Sequence, residues 1–179
     1  TIFTGAGGDT INVGDNATRA DGIAKTSSTV NTVNRIAALL TINGDDGIDT
    51  LNVNDTGDTT ANTGGLSSTT ITGLFGSGGG IQYGDLESLK IDLGSAGDTL
   101  TVTGTHTSST LIRTLRGADT VNVQAISGVT TLNTGDGADT INVGSRAPTA
   151  GGTADGITSE LEINGGANSD TLNVDDSGD

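Results

Sequence analysis

The feature that most constrains this chain is a pentapeptide, Asp-Thr-aliphatic-Asn-Val, that returns along its whole length. The copies begin at Asp9, Asp49, Asp98, Asp119, Asp139 and Asp170, and the Asp98 copy has threonine in place of asparagine. Successive aspartates are separated by 40, 49, 21, 20 and 31 residues. A recurring unit this short buries almost nothing by itself, so the repeat predicts a stack of similar units.

Each pentapeptide is the second half of a longer pattern. A branched aliphatic residue lies seven positions before every one of the six aspartates: Ile2, Ile42, Ile91, Ile112, Leu132 and Ile163. Apolar and polar residues alternate on both sides of a segment rich in glycine and aspartate, which is the pattern of two half-buried strands and a turn. We call the first strand of each unit the pre-turn strand and the second the pentad strand.

The spacing of the units favours one fold class. Intervals of 20 and 21 residues suit a single coil, and 31 residues suit a coil plus a loop at Ser145 to Asp155. Intervals of 40 and 49 suit two coils each, with further strands at Val30 to Val33 and Thr69 to Thr72. The sequence therefore predicts an all-β fold, a parallel β-solenoid (β-helix) of about eight coils with Gly/Asp turns and few or no helices.

A longer period lies above the coil. The segment from Asp49 to Asp58 matches Asp170 to Asp179 at an offset of 121, and Asp9 to Val13 matches Asp139 to Val143 at 130. We therefore interpret residues 1–179 as one continuous solenoid segment. It holds a first superrepeat at about 9–138 and a partial second copy at 139–179, as a window on a longer repetitive polypeptide.

Composition narrows the function classes. The net charge of −15 argues against nucleic acid, because phosphate binding needs clustered lysine and arginine. No apolar run approaches the roughly 18 residues that cross a bilayer, so we expect no membrane span. The acidic residues follow the repeat and do not cluster with basic ones, so we predict no catalytic site and no enzyme.

The turns resemble the Gly-Gly-x-Gly-x-Asp nonapeptide of the RTX calcium-binding β-roll. The matching segments are Gly44 to Asn52, Thr134 to Asn142 and Gly165 to Asn173. RTX motifs run in tandem every nine residues, whereas these do not. The resemblance implies one such turn per coil, within the broader class of giant bacterial surface and adhesin-like repeat proteins.

Calcium is the ion that the turns suggest, because it takes six to eight oxygen ligands from carboxylates and carbonyls. The candidate ligands are Asp9, Asp46, Asp49, Asp98, Asp119, Asp136, Asp139 and Asp170. The foremost sites are the turns that carry Asp46 with Asp49 and Asp136 with Asp139. The alternative left open is that each aspartate only ends its turn, with the carboxylate accepting main-chain N–H groups.

These patterns favour an extracellular or cell-surface structural protein, a rod, filament or stalk that associates with other copies end to end or continues within a longer chain. The repeat region of a surface adhesin is the alternative, and it leaves a glycan or surface ligand open as a partner. Ice binding is a more distant alternative, suggested by outward columns of threonine and asparagine. Stacked asparagine amides that bond one another would account for the same columns.

Overall fold

The computed structural model describes residues 1–14 and 31–179, and in these residues the chain is all-β with no helix. The described residues accordingly contain no helix that is long and apolar enough to cross a membrane. The strands are short, and in strands such as Thr50–Asn54 and Thr99–Val102 buried side chains alternate with partly exposed ones. They are β1 Ile2–Phe3, β2 Thr10–Val13, β3 Leu39–Asn43, β4 Thr50–Asn54, β5 Thr63–Leu66, β6 Thr70–Thr72, β7 Gly80–Gly84, β8 Ser88–Asp92, β9 Thr99–Val102, β10 Ser109–Arg113, β11 Thr120–Val123, β12 Thr130–Asn133, β13 Thr140–Val143, β14 Leu161–Asn164 and β15 Thr171–Val174.

The strands form two sheets between which the chain passes back and forth. The nine-stranded sheet has the order β1-β3-β7-β6-β5-β9-β11-β13-β15, and the six-stranded sheet has the order β14-β12-β10-β8-β4-β2. Within the described residues, every pairing is parallel except those of β6 with β5 and β7. Repeated short strands in parallel sheets agree with the predicted architecture, whereas the number of coils stays a prediction.

The register of the strands equates the same position of successive repeats. Val121 lies opposite Leu100 and Ile141, and Ile112 lies opposite Ile91 and Leu132. All six side chains are buried in one core cluster that draws on both sheets. The aliphatic residues of the pentad strands and of the pre-turn strands therefore form ladders that share one core, as the alternation predicts.

The structure corrects one prediction about the pentad strands. The sequence suggests a single stack of all of them, but β2 and β4 lie in the six-stranded sheet and β9, β11, β13 and β15 lie in the nine-stranded sheet. Ile11 and Leu51 therefore belong to a different ladder from Val121, Ile141 and Leu172. The cause is the antiparallel excursion β5-β6-β7, after which the chain returns to the six-stranded sheet with the pre-turn strand β8 on β4.

The segments outside the pentapeptides bear out two further predictions. The strand expected at Thr69 to Thr72 is β6, and the 31-residue interval is one layer plus a loop between β13 and β14. The strand expected at Val30 to Val33 is wrong for residues 31–33, which form no strand, and residue 30 lies outside the described residues.

Candidate functional site

The parallel register places four of the predicted aspartates above one another, and we call this set the long column. The main-chain N–H of Asp98 donates to Asp119 Oδ1 at 2.7 Å, and the N–H of Asp119 donates to Asp139 Oδ1 at 2.9 Å. The N–H of Asp139 donates to Asp170 Oδ1 at 3.1 Å. Asn62 begins the column, since its N–H donates to Asp98 Oδ1 at 2.8 Å. Each carboxylate therefore accepts a hydrogen bond from the main chain of the preceding layer.

Asp9 and Asp49 form a separate short column. The N–H of Asp9 donates to Asp49 Oδ1 at 2.9 Å, and the N–H of Asp49 donates to Glu87 Oε2 at 2.7 Å. This column precedes strands of the six-stranded sheet, whereas the long column precedes strands of the nine-stranded sheet. Sequence reasoning missed Glu87, whose only signal is that it immediately precedes β8, the strand paired with β4.

The column carboxylates are buried and only half satisfied. Asp49, Asp98, Asp119 and Asp139 are each at most 1 % exposed. No donor in the described part of the chain hydrogen-bonds to the Oδ2 atom of any of these four residues. A buried carboxylate oxygen without a donor is costly, and a proton or a cation at Oδ2 would relieve that cost.

Burial also changes how the long column ionises. Burial raises the pKa of Asp119 to about 6, although hydrogen bonds from the Thr114 side chain and the Asp98 N–H act to lower it. The neighbouring charges of Asp139 and Asp98 add to the increase. Burial likewise raises the pKa of Asp98, assisted by the charge of Asp58. Burial in this row of carboxyl groups thus favours the protonated state of Asp98 and Asp119.

Asp58 shows the opposite behaviour in the loop before β5. Burial disfavours its charge, but hydrogen bonds from Asn62, Thr60 and Asn34 outweigh this effect and lower the pKa of Asp58 to about 2. Both of its oxygens are occupied, with Thr60 donating to Oδ1 at 2.7 Å and Asn62 donating to Oδ2 at 2.8 Å. The contrast with Asp119 depends on the number of donors, because both side chains are buried.

Threonine hydroxyls add a second set of contacts between the turns. Thr114 Oγ1 donates to the Thr134 carbonyl at 2.8 Å, and Thr134 Oγ1 donates to the Gly165 carbonyl at 2.9 Å. Thr4 Oγ1 donates to the Gly44 carbonyl at 2.7 Å in the same way. These threonines lie five residues before a pentapeptide aspartate, a regularity that sequence reasoning missed.

The two remaining metal candidates differ from the column carboxylates in their burial. Asp46 and Asp136 are exposed, whereas Asp49 and Asp139 are buried. Asp136 Oδ2 instead lies 3.5 Å from Arg116 Nε. Within residues 1–14 and 31–179, no group of three His, Asp or Glu side chains could hold a metal ion. The foremost predicted ligand pairs, Asp46 with Asp49 and Asp136 with Asp139, are therefore divided between the surface and the interior.

A cavity of about 380 Å³ lies beside the single histidine. The rings of His106 and Tyr83 meet edge to face with centroids 6.1 Å apart. His106 Nε2 lies 3.1 Å from the Ser109 carbonyl, to which it donates, and burial lowers the pKa of His106. The imidazole is therefore partly buried, and it packs against the ring of Tyr83.

Comparison of the chain with family models, with curated proteins and with solved structures gave no match.

Proposed function

We propose that this chain is a structural segment of an extracellular or cell-surface protein, a β-solenoid that serves as a rod, filament or stalk. The observation that carries the proposal is the in-register stacking of equivalent repeat positions across β9, β11, β13 and β15, with β8, β10, β12 and β14 stacked in the other sheet. Such stacking makes each layer the support of the next. At about eight coils and about 4.8 Å per coil, the rod would be roughly 40 Å long.

The outward polar side chains support a structural role. Asn142 Nδ2 donates to Asn122 Oδ1 and Asn173 Nδ2 donates to Asn142 Oδ1, both at 2.9 Å. Asn52 Nδ2 donates to Asn12 Oδ1 at 2.9 Å in the other sheet. The predicted amide ladders therefore exist, and their hydrogen-bonding groups bind neighbouring layers.

Calcium remains our proposed stabilising ion for the long column. The Oδ2 atoms of Asp98, Asp119 and Asp139, which accept no hydrogen bond in the described residues, support this proposal. A cation bound to them would balance the negative charge of these buried carboxylates. Because no three acidic side chains of residues 1–14 and 31–179 lie together in a metal-binding group, the remaining ligands would be turn carbonyls. The Oδ1 contacts equally support the alternative in which the aspartates only join turns.

Small-angle scattering tests the rod. We expect the profile of a short cylinder of constant cross-section about 40 Å long, and a profile that such a cylinder does not fit would refute the proposal. Calorimetric titration tests the ion separately. We expect saturable calcium binding in the range of about 10⁻⁴–10⁻³ M that is typical of extracellular modules, together with a higher melting temperature in calcium than in chelator. No heat and no change of melting temperature would remove calcium and leave the rod.

The alternatives differ in what the surface does. An adhesin repeat region would have the same body and a ligand site, for which the cavity beside His106 is the place to look by glycan binding. Ice binding would need a flat array, but the loop between β13 and β14 lies beside the asparagine ladder, where Gln124 Nε2 donates to the Ala147 carbonyl at 2.8 Å. Thermal hysteresis in dilute solution would separate ice binding from the structural role.

A further inference from the structure

A cavity of about 440 Å³ crosses the turns that follow the strands of the six-stranded sheet, and we call it the arginine groove. Four successive layers line it, those of β4, β8, β10 and β12, and β2 and β14 add a further layer on each side. Layers are about 4.8 Å apart, so the groove extends roughly 14 Å along the stack. Its volume is within the range of about 300–1,000 Å³ that is usual for small-ligand sites. The lining residues that matter here are Thr56, Ser95, Arg113, Leu115, Arg116 and Asn133.

The layer of β10 departs from the repeat at this groove. Arg113 lies opposite Asp92 on one side and Asn133 on the other. Arg116 lies opposite Asp136. Positive side chains therefore occupy positions at which the neighbouring layers carry acidic or neutral ones. Residues that serve stacking alone recur from layer to layer, as the inward aliphatic residues do, so stacking alone does not account for the two arginines.

Arg113 is fixed by one carboxylate and keeps part of its guanidinium for a ligand. Its Nε donates to Asp92 Oδ1, and its Nη2 donates to Asp92 Oδ2 at 2.8 Å. Lys90 Nζ lies 3.1 Å from the same carboxylate, so Asp92 faces two positive charges. No acceptor in the described residues takes the hydrogens of Arg113 Nη1. A planar guanidinium held in this way presents its remaining N–H groups to a second carboxylate in a fixed direction.

Arg116 makes the rim of the groove positive. Its side chain is 76 % exposed, and its Nε lies 3.5 Å from Asp136 Oδ2. An ion pair this exposed is weak, because water screens it. Lys90, Arg113 and Arg116 are three of the five basic residues that the structure describes, and their salt bridges involve only two acidic residues. The groove is therefore a local positive site on a chain whose net charge is −15.

Leu115 lies between the two arginines in a strained conformation. Its φ is 76°, in the left-handed region that favours glycine. The residues in register with it in the next two layers are Gly135 and Gly166, whose φ angles are 94° and 88°. Strain of this kind is characteristic of ligand sites. The Leu115 side chain is partly exposed and lines the groove, so it supplies an apolar wall at a position where backbone stability favours glycine.

We propose that the arginine groove binds a uronic acid, a sugar whose ring carries a carboxylate, either free or as a unit of an acidic glycan. The two guanidinium groups bind the carboxylate. Polar side chains such as Ser95 and Asn133 hydrogen-bond to the sugar hydroxyls, and Leu115 contacts the carbon ring. Inorganic phosphate has the charge without the ring, and a neutral sugar has the ring without the charge. The choice of a sugar rests on the proposed extracellular function, whereas the choice of a carboxylate rests on the groove alone.

Titration with D-glucuronate, followed by protein NMR at about 0.15 M salt, tests the site, because charges more than about 8 Å away are largely screened under these conditions. We expect saturable shifts of the groove amides. D-glucose, which has the same ring without the carboxylate, should bind at least about tenfold more weakly, and so should inorganic phosphate. The cavity beside His106 is lined by Asp85 and Glu87, so its amides should not shift with an anion.

Variants separate the groove from the fold. R116Q should weaken glucuronate binding about tenfold, because a charge-assisted hydrogen bond is lost. The matched control R146Q removes the same charge from an exposed arginine outside the groove and should leave binding unchanged. L115G should also weaken binding while the melting temperature stays the same or rises, because glycine adopts a positive φ without strain.

A trimer of 1,4-linked D-glucuronate distinguishes the two sources of the ligand. Binding tighter than that of the monomer assigns an acidic glycan, and binding no tighter assigns the free acid. Four results would overturn the site: no binding of glucuronate, equal binding of glucose or phosphate, unchanged binding in R116Q, or an equal loss in R146Q. Each of these leaves the proposed rod intact, since scattering tests the rod without any ligand.

Discussion

Replacing Asp119 by asparagine tests whether the long column is a buried row of uncompensated charges. The Asp119 side chain is 1 % exposed, its Oδ1 accepts the Asp98 N–H at 2.7 Å, and its Oδ2 has no donor in the described residues. Asparagine keeps an oxygen for the Asp98 N–H and removes the charge. Alanine removes both, so D119A should be less stable than D119N by about 1–3 kcal/mol because the buried N–H loses its acceptor.

The expected size and sign come from the pKa. Burial raises the pKa of Asp119 from 3.8 to about 6, so the folded state binds this proton more tightly than the unfolded state. The resulting stabilisation is complete below about pH 3.8 and is lost as pH rises through 6, and a shift of this size corresponds to about 3 kcal/mol. Because asparagine does not titrate, D119N should exceed the wild type at pH 8 by about 1–3 kcal/mol once the new amide donors are allowed for.

Urea unfolding followed by far-ultraviolet circular dichroism measures this difference at pH 4.5, 6 and 8 in the presence of chelator. The matched control is D155N, which makes the same charge change at an exposed aspartate. The control corrects for the general repulsion among acidic side chains, which grows as pH rises towards the net charge of −15 at pH 7. We expect the stability of D119N relative to D155N to increase from pH 4.5 to 8. An equal pH dependence in the two variants would refute the reasoning.

Three other predictions concern burial. I141A should lower the free energy of unfolding in urea by about 2–5 kcal/mol, because Ile141 is buried. L172A, at the same repeat position, should lower it by less than about 1 kcal/mol because Leu172 is exposed. Equal losses would contradict the buried ladder. Hydrogen bonds hold the pKa of Asp58 at about 2, so the ionised side chain stabilises the fold above pH 3.8 and this stabilisation is lost as pH falls through 2. The free energy of unfolding of D58N should therefore depend less on pH between 4 and 2 than that of the wild type. An unchanged pH dependence would refute the role of these hydrogen bonds. Burial raises the pKa of Tyr83, the only tyrosine, well above its usual range. Phenolate absorbance should therefore appear only as the protein unfolds at alkaline pH. Ionisation of the tyrosine at a pH below that of unfolding would refute its burial.

The local pattern of the sequence was sufficient to predict the strand-turn-strand units. Period-two alternation around Ile112 and Val121 identifies strands and their inward faces, because side chains alternate across a strand. The 20-residue spacing predicts the register of Val121 with Ile141, since equal positions of successive layers bury the same ladder. Thr70–Thr72 as β6 was also predictable, although its antiparallel direction was not.

The chemistry of the aspartates was only partly predictable. The sequence places an oxygen acceptor at the end of each turn, and the structure shows that Asp119 Oδ1 accepts an N–H from the layer before it. The burial of Asp119 Oδ2 without a donor in the described residues could not be predicted from the spacing of the repeat. Asp46 and Asp136 illustrate the limit, since spacing alone does not tell which side of a turn faces the interior.

By itself the sequence determined the repeating unit, its inward residues and, from Asp98 onwards, its in-register neighbours, because these depend on spacing along a regular stack. Only the tertiary structure decided which sheet each unit joins. The excursion β5-β6-β7 adds three strands to one sheet, so the pentad strands change sides between β4 and β9 and the aspartates divide into two columns. That change depends on antiparallel pairings of residues 63–84, where no pentapeptide marks the register, so its cause is long-range pairing and not a local pattern.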